Sequence, residues 1–351
     1  MSTLKFNGVG IRALAACVPA RVIRNLTYTD HFRPEEISQV IEKIGVIERR
    51  FADDAICSSD LCYEAASKIL LENAIDPKEI DALLFVSQTP DYRMPATSII
   101  LQNRLGLRID TIAFDINLGC SGFIYGLAVA FSLMGNSGIR KILLLNGETR
   151  SRVYSSKDRQ AAFLFGDAGS AALIDRSESF GESFFSLNSD GSKEDYIKVM
   201  AGGSRYPTSL QTMTERVVDE NGNIRSDEHG FMRGGDVFTF VIKAVPADIN
   251  RILNFAETDI KSIDYYILHQ ANKFINDHLI RKLKLEQEKV PSTIHKFGNT
   301  SSVSIPLTIV SELKNMAKGK KLLLSGFGVG MSWGSCIINL DKLLISELVE
   351  L

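Results

Sequence analysis

The sequence predicts an α/β fold assembled from two similar halves. Strand-like and helix-like runs alternate along the chain, and their order recurs in the second half. The 351 residues suffice for two domains or one two-lobed unit with a core deep enough to enclose a site.

Taken in order, Lys5 to Ala15 reads as a first strand. Ser58 to Leu71 reads as a helix, with Ser58 or Ser59 as N-cap and Asp76-Pro77 beyond its end. Asp81 to Ser87 reads as a buried strand, Pro95 to Arg104 as a helix and Ile112 to Ile116 as another strand. Asn117-Leu118-Gly119-Cys120-Ser121-Gly122 follows at once, then an apolar helical run through Met134, so Cys120 falls at a strand-to-helix junction. Three segments are echoed in the same order: Ile80–Gln88 by Ile263–Gln270, Lys141–Gly147 by Lys320–Gly326, and Gly169–Ile174 by Gly334–Ile338. Chance similarity accounts for any one pair of apolar strands; three in order point to an internal duplication. Met200 to Gly235 is irregular, punctuated by Gly202-Gly203, Pro207, Asn221-Gly222 and Gly234-Gly235, and its place between the halves suits a lid or connecting excursion. A helical pattern resumes from Asp236 to Phe255. The expected organisation is a first half over 1–190, an excursion over 191–235 and a second half over 236–351.

Composition removes several functional classes. Forty Lys+Arg against 42 Asp+Glu leave a net charge of −2, which argues against a nucleic-acid binder reliant on phosphate neutralisation. At 45% hydrophobic and 23% charged residues the chain is ordinary globular protein rather than disordered. No apolar run approaches the roughly 20 residues of a membrane span, and the N-terminus lacks a charged-then-apolar signal pattern, so a cytoplasmic location is expected. The five cysteines, Cys17, Cys57, Cys62, Cys120 and Cys336, have neither a disulfide framework nor metal-ligand spacing; no metal is expected.

Four places carry potential chemistry. Cys120 would feel the partial positive charge and free N–H groups of a helix start, which favour thiolate, although a cysteine there also serves as packing. His269 ends an apolar strand and precedes a helix, the usual position of ligand-facing side chains in α/β folds, although a satisfied core histidine also fits there. Asn299 stands in Phe297-Gly298-Asn299-Thr300, which alone reads equally as an N-cap or turn. Gly326-Phe327-Gly328-Val329-Gly330 follows a strand and can turn backbone N–H groups toward an oxyanion.

The segments DINLGCSGFIYGL (115–127), LFGDAGSAAL (164–173), HQAN (269–272), GNTSSVSIP (298–306) and GFGVGMSWGS (326–335) resemble β-ketoacyl-acyl-carrier-protein synthase III, a thiolase-fold family of condensing enzymes. The resemblance runs from about Leu4 to Leu340. It implies a five-layered α-β-α-β-α fold of two similar halves, a homodimer, and decarboxylating condensation of an acyl thioester with malonyl-acyl-carrier protein. By position it implies Cys120 as acylated nucleophile, His269 and Asn299 as the pair that bind the malonyl thioester carbonyl, and an oxyanion hole from the N–H groups of Cys120 and Val329. His269 would then act as neutral imidazole with no carboxylate beside it. A Cys-His-Asn set also occurs in papain-like proteases, whose local Cys signature is absent, and the Asn299 motif speaks against the Glu-using hydroxymethylglutaryl-CoA synthases. An acyltransferase of the same fold, moving the acyl group to oxygen or nitrogen without decarboxylation, is the alternative.

The resemblance further implies that Arg159, Gly234, Phe238, Ala271 and Asn272 contact the coenzyme arm, and that Met94, Phe165 and Arg150 correspond to acyl-pocket positions, Met94 reaching across the dimer. No tightly bound cofactor is implied, only coenzyme A or phosphopantetheine thioesters as substrates. Two departures concern substrate. Acetyl-CoA-using members sandwich the adenine between a Trp and an Arg, where this chain has Gln39 and Lys43, so an acyl-carrier protein could be the donor. Arg150 replaces the family's common Leu; a one-residue loop shift would turn it to solvent, whereas a pocket position would imply a primer with a polar or carboxylate group. Lys273, Arg281, Lys282 and Lys284 form a basic helix face, either a solvated surface or a dock for an acidic carrier protein.

Overall fold

The computed structural model describes residues 2–29, 31–314, 319–341 and 343–351. Its two main sheets are built as a sequence rich in doubly apolar strands demands. Ala82–Val86 and Ile142–Thr149 are buried along their whole length, because parallel central strands are covered on both faces. From one edge, the first sheet runs Ile112–Ile116, Ala82–Val86, Ile142–Thr149, Asp167–Arg176 and Val9–Val18, and Val9–Val18 also pairs with Leu344–Ile345 and Val349–Glu350. The second runs Tyr265–Leu268, Lys320–Gly328, Ser332–Leu340, Glu182–Ser189 and Thr3–Asn7.

Helix composition follows layer. Gly122–Leu133 is apolar nearly all round and, with Ser304–Glu312, fills the layer between the sheets. Ser58–Glu72 and Thr97–Arg104 cover the outside of the first sheet, and Gly234–Phe255 and the amphipathic Lys273–Leu283 cover the second. The layers are therefore α-β-α-β-α, the thiolase arrangement.

The duplication is visible in the pairing. Ala82–Val86 lies parallel to Ile142–Thr149 as Tyr265–Leu268 lies parallel to Lys320–Gly328, and the Asp81 and Asp264 N–H groups donate to the carbonyls of Lys141 and Lys321. Lys141 thus corresponds to Lys321, one residue later than the sequence echo placed it. The slip matters: Leu144 and Leu324 both face the central layer, whereas Leu323 faces outward.

Other expectations need correction. The single strand read over Lys5–Ala15 is two, Thr3–Asn7 and Val9–Val18, broken at Gly8 with φ +68° and sent to different sheets. The helix read over Ser58–Leu71 is capped at Cys57, whose N–H donates to Asp60 at 2.7 Å, rather than at Ser58 or Ser59, and a further helix, Pro34–Ile44, precedes it. Glu182–Ser189 belongs to the second sheet, so the structural break between halves precedes residue 190, and both chain termini cross between the halves. Within 191–235, Ile197–Val199 pairs with Gly230–Met232 and Arg216–Val217 with Ile224–Arg225. Among the described residues no helix is long and apolar enough to cross a membrane.

Candidate active site

Cys120, His269 and Asn299 come from three separate stretches of chain and meet in one cavity. Cys120 is 7% exposed, immediately ahead of the central helix Gly122–Leu133. It reaches the cavity because its neighbours are glycines: a Cβ on Gly328 would lie 2.7 Å from Cys120 Cβ and 3.0 Å from Sγ. Ser332 joins the two loops, its Oγ 2.7 Å from Ser121 Oγ and donating to the Val329 carbonyl at 2.7 Å, so Val329, which lines the cavity, is tied to the thiol loop.

Burial pushes the Cys120 thiol up, and the Arg150 guanidinium, the Ser301 hydroxyl and the residue's own N–H pull it back. Cys17, Cys62 and Cys336 are also buried but have no cation pulling them down, and Cys17 is raised to about 12 by burial and by Glu64 and Glu350. Cys120 is therefore the one of these four buried thiols with a cation opposing its desolvation, although the nearby Glu148 carboxyl raises it. The Sγ donates to Ser301 Oγ at 3.7 Å, and Ser301 Oγ donates to Glu148 Oε1 at 3.2 Å. Glu148 is fully buried, its carboxyl raised by burial, and also accepts from Thr89 Oγ1 at 3.1 Å. Ser301 holds this place at φ +52°, its N–H donating to Asn299 Oδ1 at 2.9 Å. Once the thiol ionises, the Ser301 hydroxyl can turn to donate to the thiolate and so lowers the group, and Ser301→Ala is expected to raise the pH midpoint of Cys120 alkylation and to slow alkylation at pH 7 several-fold, measured with iodoacetamide and peptide mass spectrometry.

His269 follows the last residue of Tyr265–Leu268 and is 1% exposed. Its Nδ1 lies 2.7 Å from Ser304 Oγ, which accepts from the Gln270 N–H at 3.4 Å. Ser304 can then give its own proton to Nδ1, leaving the imidazole hydrogen on Nε2. Burial alone lowers the ring to about 3, so it is neutral at working pH. Since the unfolded ring titrates near 6.5, this burial is fully compatible with folding above that pH and opposes it below. Chemical denaturation should show His269 costing about 1.4 kcal/mol per pH unit between 6.5 and 3, a slope that His269→Gln removes.

Asn299 is fixed through its backbone, donating to the Leu164 carbonyl at 2.9 Å and accepting from Gly166 at 3.2 Å, and its Nδ2 reaches the Ala271 carbonyl at 3.4 Å. The remaining wall includes Tyr154, Leu164, Ile197, Met232, Val237, Ile275 and Phe327, none singled out by sequence. Ile197 and Met232 belong to the excursion. Ser301 and Glu148 were missed too, although Ser301 lies two residues from Asn299 and Glu148 two from Arg150.

The arm positions divide between two joined cavities. Ala271 lines the inner one; Arg159 and Phe238 line an outer one; Gly234 and Asn272 line both, as do Met232 and Ile275. The corridor from thiol to surface suits an extended arm. Asn272 Oδ1 is occupied as N-cap, accepting from Ile275 at 2.8 Å, and Arg159 pairs with Glu36 at 2.9 Å. Gln39 is exposed and outside both walls; Lys43 lines the outer cavity with its Nζ 5.7 Å from the centre of the Phe274 ring. Phe165 lines the inner cavity, while Met94 is 82% exposed and outside it in the single chain. Arg150 is 5% exposed and lines the inner cavity, so the loop shift that would send it to solvent does not occur. Lys273, Arg281, Lys282 and Lys284 are all exposed, Lys273 pairing with Asp277 at 2.5 Å. Among the described residues no group of three His, Cys, Asp or Glu is placed to hold a metal ion.

Comparison with known proteins bears on this geometry. Residues 114–191 match the family model for 3-oxoacyl-[acyl-carrier-protein] synthase III, and 253–340 match the model for the C-terminal part of the same proteins. The chain is 33% identical over 336 residues to the β-ketoacyl-[acyl-carrier-protein] synthase III of Caldanaerobacter subterraneus, covering 95% of this chain and 98% of that one. Its structure resembles the 3-oxoacyl-(acyl-carrier protein) synthase of Burkholderia xenovorans LB400, with TM-score 0.93, 37% identity and coverage of 100% and 99%. It also resembles 3-oxoacyl-[acyl-carrier-protein] synthase III from Aquifex aeolicus, with TM-score 0.78, 27% identity and coverage of 95% and 100%.

Proposed function

The chain belongs to the 3-oxoacyl-acyl-carrier-protein synthase III family, and from that premise we propose that it condenses an acyl thioester with malonyl-acyl-carrier protein through an acyl-Cys120 intermediate. The observation that carries the reading is the convergence of a buried thiol, a neutral imidazole and a carboxamide on one cavity.

In the first half, Cys120 sulfur attacks the acyl carbonyl, the thioester bond to the carrier breaks, and the thiol proton leaves with the departing thiolate. The Ser301–Glu148 chain lies where that proton can move. In the second, the malonyl thioester oxygen accepts hydrogen bonds from His269 Nε2 and Asn299 Nδ2. Loss of CO2 puts charge on that oxygen, and neutral donors in a dry cavity stabilise it. The enolate carbon attacks the acyl carbonyl, the oxyanion faces the N–H groups of Cys120 and Val329, and the Cys120 sulfur leaves and takes up one proton. The products are a 3-oxoacyl thioester and CO2.

The substrates need no tightly bound cofactor. The corridor fits a phosphopantetheine arm, and with Gln39 outside it and Lys43 beside Phe274 the adenine grip of acetyl-CoA users is missing, which favours a carrier-protein donor. The exposed basic helix end is the docking face for an acidic carrier. A homodimer is supported by the free edge of Ile112–Ile116 beside the exposed Met94 and Ile99, where Met94 could complete a partner's acyl pocket. Purified protein given an acyl donor and malonyl-carrier protein should release one CO2 per thioester formed. Acyl transfer to an alcohol or amine without CO2 would support the acyltransferase alternative instead.

A further inference from the structure

Arg150 is a buried cation that condensation of a simple acyl group leaves without an anion in contact. Its Nη2 donates to Tyr154 Oη at 2.8 Å, its Nη1 lies 3.5 Å from Gln88 Oε1, and its Nε has no partner among the described residues. No carboxylate of the described residues is in ion-pair contact with it. Glu148 acts on it through space, but the Glu148 oxygens accept from Gln88, Thr89 and Ser301 instead.

The side chain is also rigidly placed. Tyr154 and Phe165 stack at 4.1 Å with their planes 2° apart, and the guanidinium carbon sits 5.3 and 5.5 Å from the two ring centres. Arg150 stands where the thiol cavity adjoins a second, more polar cavity lined by Gln88, Arg152, Lys198 and Glu228, the last already accepting from Thr212 Oγ1; the two cavities share Arg150, Tyr154, Ile197 and Val329. Arg152 and Lys198 are already committed, Arg152 to the carbonyls of Asp53, Asp54 and Ile56 and Lys198 to Glu194. Of the three cations, Arg150 alone is buried, and its Nε is the buried donor left without a partner among the described residues.

We propose that Arg150 receives a carboxylate at the far end of the acyl chain, so that the primer is an ω-carboxyacyl thioester, a dicarboxylate joined to its carrier through one end. This rests on the reading of Cys120 as the acylated nucleophile. An alkyl chain would press methyl groups against a dry guanidinium, which is costly, whereas a carboxylate meets the planar fork with charge-assisted hydrogen bonds. The thioester end lies at Cys120 and the carboxylate end at Arg150, and both residues line the same cavity.

The test is competition between matched pantetheine thioesters, glutaryl against pentanoyl and succinyl against butanoyl, followed by intact mass of the enzyme and mapping of Cys120. The carboxyl donors should acylate with kcat/KM about 10- to 100-fold higher than their matched alkyl partners. Arg150→Leu should collapse that ratio to near one, and Arg150→Lys should keep part of it. A ratio near one in the unmodified enzyme overturns the proposal, whatever the variants do. Equal slowing of both donors by Arg150→Leu, with an upward shift in the alkylation midpoint of Cys120, also overturns it, because the arginine would then serve only the thiolate. Absence of any Cys120 adduct, from every donor, removes the nucleophile reading itself and is told apart by the peptide map.

Discussion

His269→Ala is expected to lower CO2 release from malonyl-carrier protein by about 10²–10³-fold while Cys120 still becomes acylated within a few-fold of the normal rate. The separation follows from what each residue touches. The Cys120 Sγ donates to Ser301 Oγ, which donates to Glu148, and neither contact involves the imidazole. His269 instead presents Nε2 to the cavity, its other nitrogen tied to Ser304. A donor that meets charge only as CO2 departs should affect that step and spare the earlier one. Because burial holds the ring neutral, with its pKa near 3, the decarboxylation rate should show no inflection from His269 between pH 5 and 9. Radiolabelled malonyl carboxyl measures the second step, and intact mass measures the first.

Gly328→Ala should be nearly as damaging, from the opposite direction. The added Cβ would stand 2.7 Å from Cys120 Cβ and 3.0 Å from Sγ, well inside van der Waals contact. Neither loop has slack to yield, since Ser121, Ser332 and the Val329 carbonyl are joined by 2.7 Å hydrogen bonds. The thiol must shift by a fraction of an ångström to an ångström, and misplacement on that scale costs about 10²-fold in rate. Acylation of Cys120 should fall by that factor, whereas free CO2 release from malonyl-carrier protein, which depends on His269 and Asn299, should change far less.

These residues differ in how much of their role the sequence reveals. Cys120 is legible because an apolar strand, a pair of glycines and an apolar helix leave it one possible place, a helix start between two sheets. His269 is legible for a related reason, as the polar residue that ends an otherwise apolar strand. Asn299 has no such signature, since Gly-Asn before a helix reads equally as a cap; only the match of its whole segment to the family singles it out. The register of the internal echoes lay beyond reach because strands buried on both faces carry no alternation, so a slip of one residue leaves the pattern intact while reversing every side chain. Arg150 shows the same limit at the site. Its direction depends on how the chain turns after Thr149, and a lone arginine between Thr and Ser would ordinarily turn to water. What holds it inside is the stacked Tyr154–Phe165 pair, brought together from separate stretches of chain. Gly8 is not legible as a break, because one glycine in an apolar alternation resembles a tolerated interruption, yet with its positive φ the chain passes from one sheet to the other.

A single-turnover chase addresses the central claim most directly. Enzyme is first incubated with an acyl-pantetheine thioester, its Cys120 peptide is weighed, and malonyl-carrier protein is then added. The account predicts an acyl adduct on Cys120 that disappears as equal amounts of CO2 and 3-oxoacyl-carrier protein form, and no adduct or product in Cys120→Ala. Product formed without a prior Cys120 adduct, or an adduct that malonyl-carrier protein does not discharge, would contradict it.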